Sequence, residues 1–125
     1  MDDRELVKQA NEVRPRAYAP YSGFKVGAAL LCADGTVYTG VNIENAAFGP
    51  SICAERTALF KAISEGHRDF VKIAVTCDRP YCQPCGVCRQ VIVEHAPNLQ
   101  ILMGSLDGSF VKTTIRELLP EAFTL

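Results

Sequence analysis

The sequence predicts an α/β fold, a three-layer αβα sandwich built on a mixed five-stranded sheet. Three observations lead there. Two apolar strands flank a tight turn early in the chain, so the sheet contains an antiparallel hairpin. Further on, a β-branched apolar run, a helical stretch and a second short apolar run alternate, which calls for a parallel pair. The other periodic segments are helical, and helices must cover both faces of such a sheet. A chain of 125 residues has room for one core, so a single domain spanning residues 1–125 is expected.

Taken in order, Leu6, Ala10, Val13 and Ala17 recur at helical spacing and mark a helix over residues 3–18. Pro15 bends that helix or ends its regular part early. Residues 24–32 and 36–42 read as the hairpin strands, joined by Ala33-Asp34-Gly35. Gly27, Ala28 and Ala29 are small for a strand and let another layer approach closely. After a polar loop over residues 42–50, residues 51–65 form a helix stopped by Gly66. Residues 71–77 read as a central strand and residues 85–95 as a helix that ends before Pro97. Short strands at 99–103 and 109–112 and a short helix at 115–119 complete the chain.

Composition narrows the function. Apolar residues make up 48% and charged residues 22%, with a formal net charge of -1 and scattered Lys and Arg. A phosphate-binding surface needs massed basic residues, so nucleic acid is not an expected partner and a small molecule is. No apolar run reaches the roughly 20 residues that span a bilayer, so no membrane partner is expected either. The opening Met1-Asp2-Asp3-Arg4-Glu5 lacks the basic start and apolar run of a signal peptide, so the expected location is cytoplasmic. Six cysteines, at 32, 53, 77, 82, 85 and 88, then argue for metal or catalysis before disulfides.

The chemistry gathers in Ser51-Ile52-Cys53-Ala54-Glu55-Arg56 and Pro84-Cys85-Gly86-Val87-Cys88-Arg89. Pro84 favours a helix start, and Cys85 and Cys88 then share one face of the first turn. Cys53 stands at the start of the other helix. Both positive helix ends favour thiolate over thiol, so three sulfurs are expected to hold one zinc ion. Three thiolates overcompensate the charge of Zn²⁺, and Arg56 and Arg89 are placed to offset the excess by hydrogen-bonding to sulfur. Structural zinc takes four protein ligands, whereas catalytic zinc keeps a position for water. Cys82 is the nearest candidate for a fourth ligand, but it falls in the preceding loop. His67 and His95 read as surface or satisfied side chains, and Cys32 and Cys77 as small buried hydrophobes. With Cys53 at the cap and Glu55 in the first turn, both reach the space above the helix end. Glu55 is then either a proton carrier or a carboxylate favoured by the helix dipole.

These motifs resemble a known family. Cys53-Ala54-Glu55 followed by Pro84-Cys85-x2-Cys88 matches the zinc nucleobase deaminases. Tyr21-Ser22-x-Phe24-x-Val26-Gly27-Ala28-Ala29-Leu30, Asn42-x-Glu44-Asn45-Ala46, Cys88-Arg89-Gln90 and Leu118-Leu119-Pro120-x2-Phe123 are similar to the small homotetrameric cytidine deaminases. The resemblance implies hydrolysis of cytidine and 2′-deoxycytidine to the uridines with release of ammonia, in pyrimidine salvage. It implies one Zn²⁺ per subunit on Cys53, Cys85 and Cys88, acidifying a water whose hydroxide attacks C4. Glu55 would carry the proton to N3 and then to the departing amine. Asn42 and Glu44 would meet the ribose, the Ala54 N–H the pyrimidine carbonyl, and Phe24 the base. Neighbouring subunits of a homotetramer would complete each site through Ala46, Phe48 and Phe123. Family members often carry tyrosine where this chain has Phe48, so a hydroxyl contact is absent there.

Three rival readings follow from the same residues. A blasticidin S deaminase shares both cysteine motifs, although Asn42-x-Glu44 favours ribose. A nucleic-acid-editing deaminase would need a basic groove. A zinc-clipped binding module would bind metal without turnover. Within one chain, Phe123 could instead dock in its own core.

Overall fold

In the computed structural model, which describes residues 1–125, the chain runs through ten elements. They are α1 (Asp3–Val13), a 3-10 turn (Arg14–Arg16), β1 (Gly27–Cys32), β2 (Val37–Val41), α2 (Ala54–Ser64), β3 (Phe70–Thr76), α3 (Gly86–His95), β4 (Gln100–Gly104), β5 (Phe110–Thr114) and α4 (Ile115–Leu118). The five strands form one sheet in the order β2-β1-β3-β4-β5. β3 and β4 are parallel, with α3 as their crossover, and the other neighbours are antiparallel. The αβα architecture is the one expected.

Alternation along the strands sorts the two cores. Ala29, Leu31, Ala74 and Leu102 face Leu6, Val7 and Ala10 of α1. Ala28, Leu30, Cys32, Ile73, Ile101 and Met103 face the other way, onto α2, α3 and α4. Every residue of β1 is therefore buried, being covered on both sides. Small residues make this possible. A Cβ on Gly27 would collide with the Ala10 carbonyl and the Arg14 side chain. On β2 a Cβ at Gly40 would lie 2.5 Å from both the Ala54 oxygen and the Ala58 nitrogen, so α2 rests directly on that glycine. The first close approach follows from the small residues of the strand, whereas the second has no such run of neighbours to announce it.

Register places the functional end. Gly27 stands opposite both Val41 and Thr76, so the start of β1 and the ends of β2 and β3 share one edge of the sheet. α2 and α3 begin at that same edge, at Cys53 and Cys85.

The differences from expectation are local. The first helix stops at Val13, with Pro15 inside the 3-10 turn, so its final residues to 18 are not α-helical. The first strand begins at Gly27 rather than at residue 24; before it, the Val26 N–H and the Phe24 carbonyl bond to the Asn42 side chain. The second helix starts three residues later than the apolar pattern suggests. Pro84 is not the first helical residue of α3, since Cys85 is the cap and Gly86 follows it.

Candidate active site

Cys53 and Cys85 occupy the N-caps of α2 and α3, both in extended conformation, and Cys88 lies in the first turn of α3. The Cys53 and Cys85 sulfurs are 3.6 Å apart, and all three sulfurs lie within 4.8 Å of one another. None of the cysteines is in a disulfide. Zinc binds thiolate at about 2.3 Å, which puts the sulfurs of a tetrahedral site about 3.8 Å apart. The donor set fits zinc by spacing and by softness. Arg56 donates to the Cys53 sulfur at 3.4 Å, and the Cys88 N–H points at the Cys85 sulfur at 3.5 Å. The hydrogen bond from Cys88, with help from Arg56, pulls the Cys53 thiol down to about 5 against the opposing effect of burial. Its neighbour Cys88 is pushed up, by Cys53 first and by burial second.

Glu55 stands two residues after the Cys53 cap and is only 3% exposed. Burial raises its carboxyl to about 7, opposed by a hydrogen bond from its own backbone N–H and reinforced by Cys53. A carboxyl group so placed holds and gives up a proton near neutrality. The cap-and-first-turn arrangement expected from the sequence is the one present.

The strand edge adds a polar wall. Asn42 is buried; its amide oxygen accepts from the Val26 N–H at 2.8 Å and its amide nitrogen donates to the Phe24 carbonyl at 2.7 Å. Glu44 accepts from the N–H groups of Tyr21 (3.0 Å) and Ser22 (3.1 Å) and from the Ser22 hydroxyl. The Ser22 hydroxyl, then the backbone bonds, hold its carboxyl below the usual range despite some desolvation. Glu44, Tyr21, Ser22, Asn45, Phe48 and Ser51 line an open pocket of about 380 Å³. Phe24 packs against the cluster of Val75, Cys77 and Cys82 and carries the Arg79 guanidinium 5.1 Å from its ring centre.

The structure thus brings together Cys53, Cys85, Cys88, Glu55 and Arg56, with Ala54 fully buried among them. It does not gather Ala46, Phe48 and Phe123 onto them within one chain. Ala46 and Phe48 stand exposed on the loop after β2, and Phe123 is 69% exposed on the C-terminal segment. That exposure also removes the alternative in which Phe123 docks in its own core; the segment is held by Gln90, which donates to the Phe123 carbonyl at 2.9 Å.

Arg89 is a correction. Its guanidinium donates to the carbonyls of Pro84 (2.8 Å) and Leu118 (3.2 Å), tying α3 to α4 instead of serving sulfur. Cys82 is buried with Val75 and Cys77, away from the three-sulfur group. His67 is satisfied by Tyr38 and Asp34, and His95 is exposed at the end of α3. Cys32 and Cys77 are buried, as small hydrophobes are expected to be. Sequence reasoning assigned no role to Ser22 or Ser51. Ser22 precedes Gly23, which has a φ of +68°, and that turn-forming dipeptide was the available signal.

Comparison with known proteins agrees with this geometry. The family model described as the cytidine and deoxycytidylate deaminase zinc-binding region matches residues 1–103. The chain is 55% identical over 127 residues to a cytidine deaminase of Halalkalibacterium halodurans, covering 99% of this chain and 96% of the relative. It is 48% identical to a cytidine deaminase of Sporosarcina psychrophila, with 99% and 93% covered. The crystal structure of cytidine deaminase from Burkholderia pseudomallei superposes with a TM-score of 0.95 at 46% identity, covering 98% of this chain and 100% of that one. The chain is therefore an enzyme of the cytidine and deoxycytidylate deaminase family, whose zinc-binding region it carries.

Proposed function

We propose that this chain hydrolyses cytidine and 2′-deoxycytidine to uridine and 2′-deoxyuridine with release of ammonia, serving pyrimidine salvage in the cytoplasm. The observation that carries this reading is a buried Glu55 in the first turn of the helix whose cap, Cys53, joins Cys85 and Cys88. Cys53, Cys85 and Cys88 would hold one zinc ion per chain, which when bound supplies an acidified water. Arg56, through its bond to the Cys53 sulfur, withdraws electron density from the donor set.

Glu55 accepts a proton from water and delivers it to N3 of the pyrimidine as the water oxygen adds to C4. It then carries the second proton to the exocyclic nitrogen, the C4–N bond breaks, and ammonia leaves. One carboxyl group is base and then acid, which suits a group titrating near neutrality. α2 has no side-chain cap bond at Cys53, so its first N–H groups are available to something outside the helix. The Ala54 N–H takes the pyrimidine carbonyl. Asn42 keeps one amide N–H beyond its two strand bonds for a ribose hydroxyl, and Glu44 lines the adjoining pocket. Phe24 forms the wall beside the base.

The exposed Phe48 and Phe123 fit a homotetramer in which neighbours supply Ala46 and Phe48 to the sugar and Phe123 to the base. Such apolar rings stay in water at a cost unless another surface covers them. Each chain would act as one domain spanning residues 1–125. The test is loss of cytidine absorbance with purified protein, before and after a zinc chelator, alongside blasticidin S and single-stranded DNA. Chelator-sensitive turnover of cytidine is expected; turnover of either other substrate with none of cytidine would overturn the reading.

A further inference from the structure

At the end of α2 remote from the three sulfurs, a second group of metal-type donors meets. Cys32 ends β1 on the face covered by α2. The hairpin turn that follows supplies Asp34. Helix α2 stops at Ser64, and Gly66, with φ of +95°, reverses the chain so that His67 comes back over the hairpin. The three donor atoms of Cys32, Asp34 and His67 lie within 4.8 Å of one another.

Asp34 and His67 are each held in place by a bond through their other side-chain atom. Asp34 Oδ1 accepts the Thr36 N–H at 3.0 Å, which leaves Oδ2 facing His67 Nε2 at 3.0 Å. His67 Nδ1 lies 3.2 Å from the Tyr38 hydroxyl, and the two rings meet edge to face at 5.2 Å. The Cys32 side chain is buried in the core and cannot swing away. Metal-binding imidazoles characteristically have their second nitrogen fixed by a partner, and ligating carboxylates are likewise hydrogen-bonded.

We infer that Cys32, Asp34 and His67 form a second divalent-cation site, separate from the proposed active-site centre, with Tyr38 as a positioning residue. One sulfur, one imidazole and one carboxylate select a borderline cation such as zinc or cobalt over calcium or magnesium, which take oxygen ligands. Protons balance on binding. The Cys32 thiol releases its proton to solvent. The imidazole proton shared with Asp34 moves from Nε2 to Nδ1, where the Tyr38 oxygen accepts it, and Nε2 and Asp34 Oδ2 turn to the cation. The ion then staples the β1–β2 hairpin to the end of α2, so it stabilises the fold without touching the chemistry at the other end.

The test uses the enzyme with its active-site zinc in place. Metal analysis after equilibration with Zn²⁺ should find a second equivalent per chain. Added Co²⁺ should give a sulfur-to-cobalt charge-transfer absorption. His67→Ala, at a partly exposed position, should lose both signals and keep full deamination. Asp34→Asn is the conservative check and should weaken the second equivalent at least about tenfold, as should Tyr38→Phe. Cys53→Ala should lose the active-site equivalent and retain this one, which separates this inference from the functional reading. One equivalent in the unaltered enzyme, or a second equivalent that survives His67→Ala, would overturn it.

Discussion

The two helix starts that carry the three sulfurs are built alike and finished differently. α3 closes on itself. The Cys85 sulfur accepts the Cys88 N–H, and Arg89 locks the preceding Pro84 carbonyl to Leu118. α2 stays open. Its cap sulfur accepts no backbone N–H of its first turn and is served by the Arg56 side chain instead, while a nearly buried carboxyl group stands two residues after the cap. Both helix starts contribute sulfurs, but one is bonded internally and the other keeps open N–H groups beside a buried carboxyl group. The difference teaches that two helices can share three metal-type donors while only α2 sets a buried carboxyl group beside them.

The sharpest way to break that division is Glu55→Gln, which keeps shape and removes the proton carrier. Deamination should fall by about 10²–10⁴-fold or more while bound zinc per chain stays constant. Steady-state turnover and metal analysis on one preparation check both halves. Near-normal turnover would make α2 a clip like α3. Cys53→Ala instead should lose zinc and turnover together, and should lower the melting temperature because binding free energy is folding free energy here.

The two arginines extend the comparison. Arg56→Gln should weaken zinc binding by about tenfold to a hundredfold, read by competition with a chelator, because it strips the donor from the Cys53 sulfur. Arg89→Gln should leave zinc affinity nearly unchanged and cost about 1–3 kcal/mol of stability in denaturant unfolding, since two carbonyls lose a charged donor. The sequence places Arg56 three residues after Cys53 and Arg89 next to Cys88, and both are expected to serve sulfur. Only side-chain direction, which depends on where α4 ends, tells them apart.

That pattern runs through the whole chain. The strands, the crossover and the cap position of Cys53 were legible because periodicity and cysteine spacing are local signals. The Ser22-to-Glu44 bonds, the packing of α2 on Gly40 and the meeting of Cys32 with His67 were not, because each joins residues distant in sequence through a turn or a register. Phe48 and Phe123 show the same limit from the other side. Their place in the motif suggested a role at the site, and their exposure in one chain is what makes a neighbouring subunit necessary to that role.

The smallest expected effects separate the two helices by their glycines. At Gly40 an added methyl group would lie 2.5 Å from the backbone of both Ala54 and Ala58, so Gly40→Ala must push the first turn of α2 off the sheet. Overpacking of this kind costs about 1–3 kcal/mol. Because the displaced turn carries Glu55, turnover should drop with stability even though the methyl group touches no substrate. Gly86, the first residue of α3, has nothing within 4 Å of an added Cβ and a backbone that needs no glycine. Gly86→Ala should therefore leave stability unchanged or raise it by up to about 1 kcal/mol through the unfolded chain. Denaturant unfolding and turnover measured on both variants decide the matter. If the two substitutions behave alike, the α2 start is not held by its contact with β2, and the open helix owes its position to the metal rather than to the sheet.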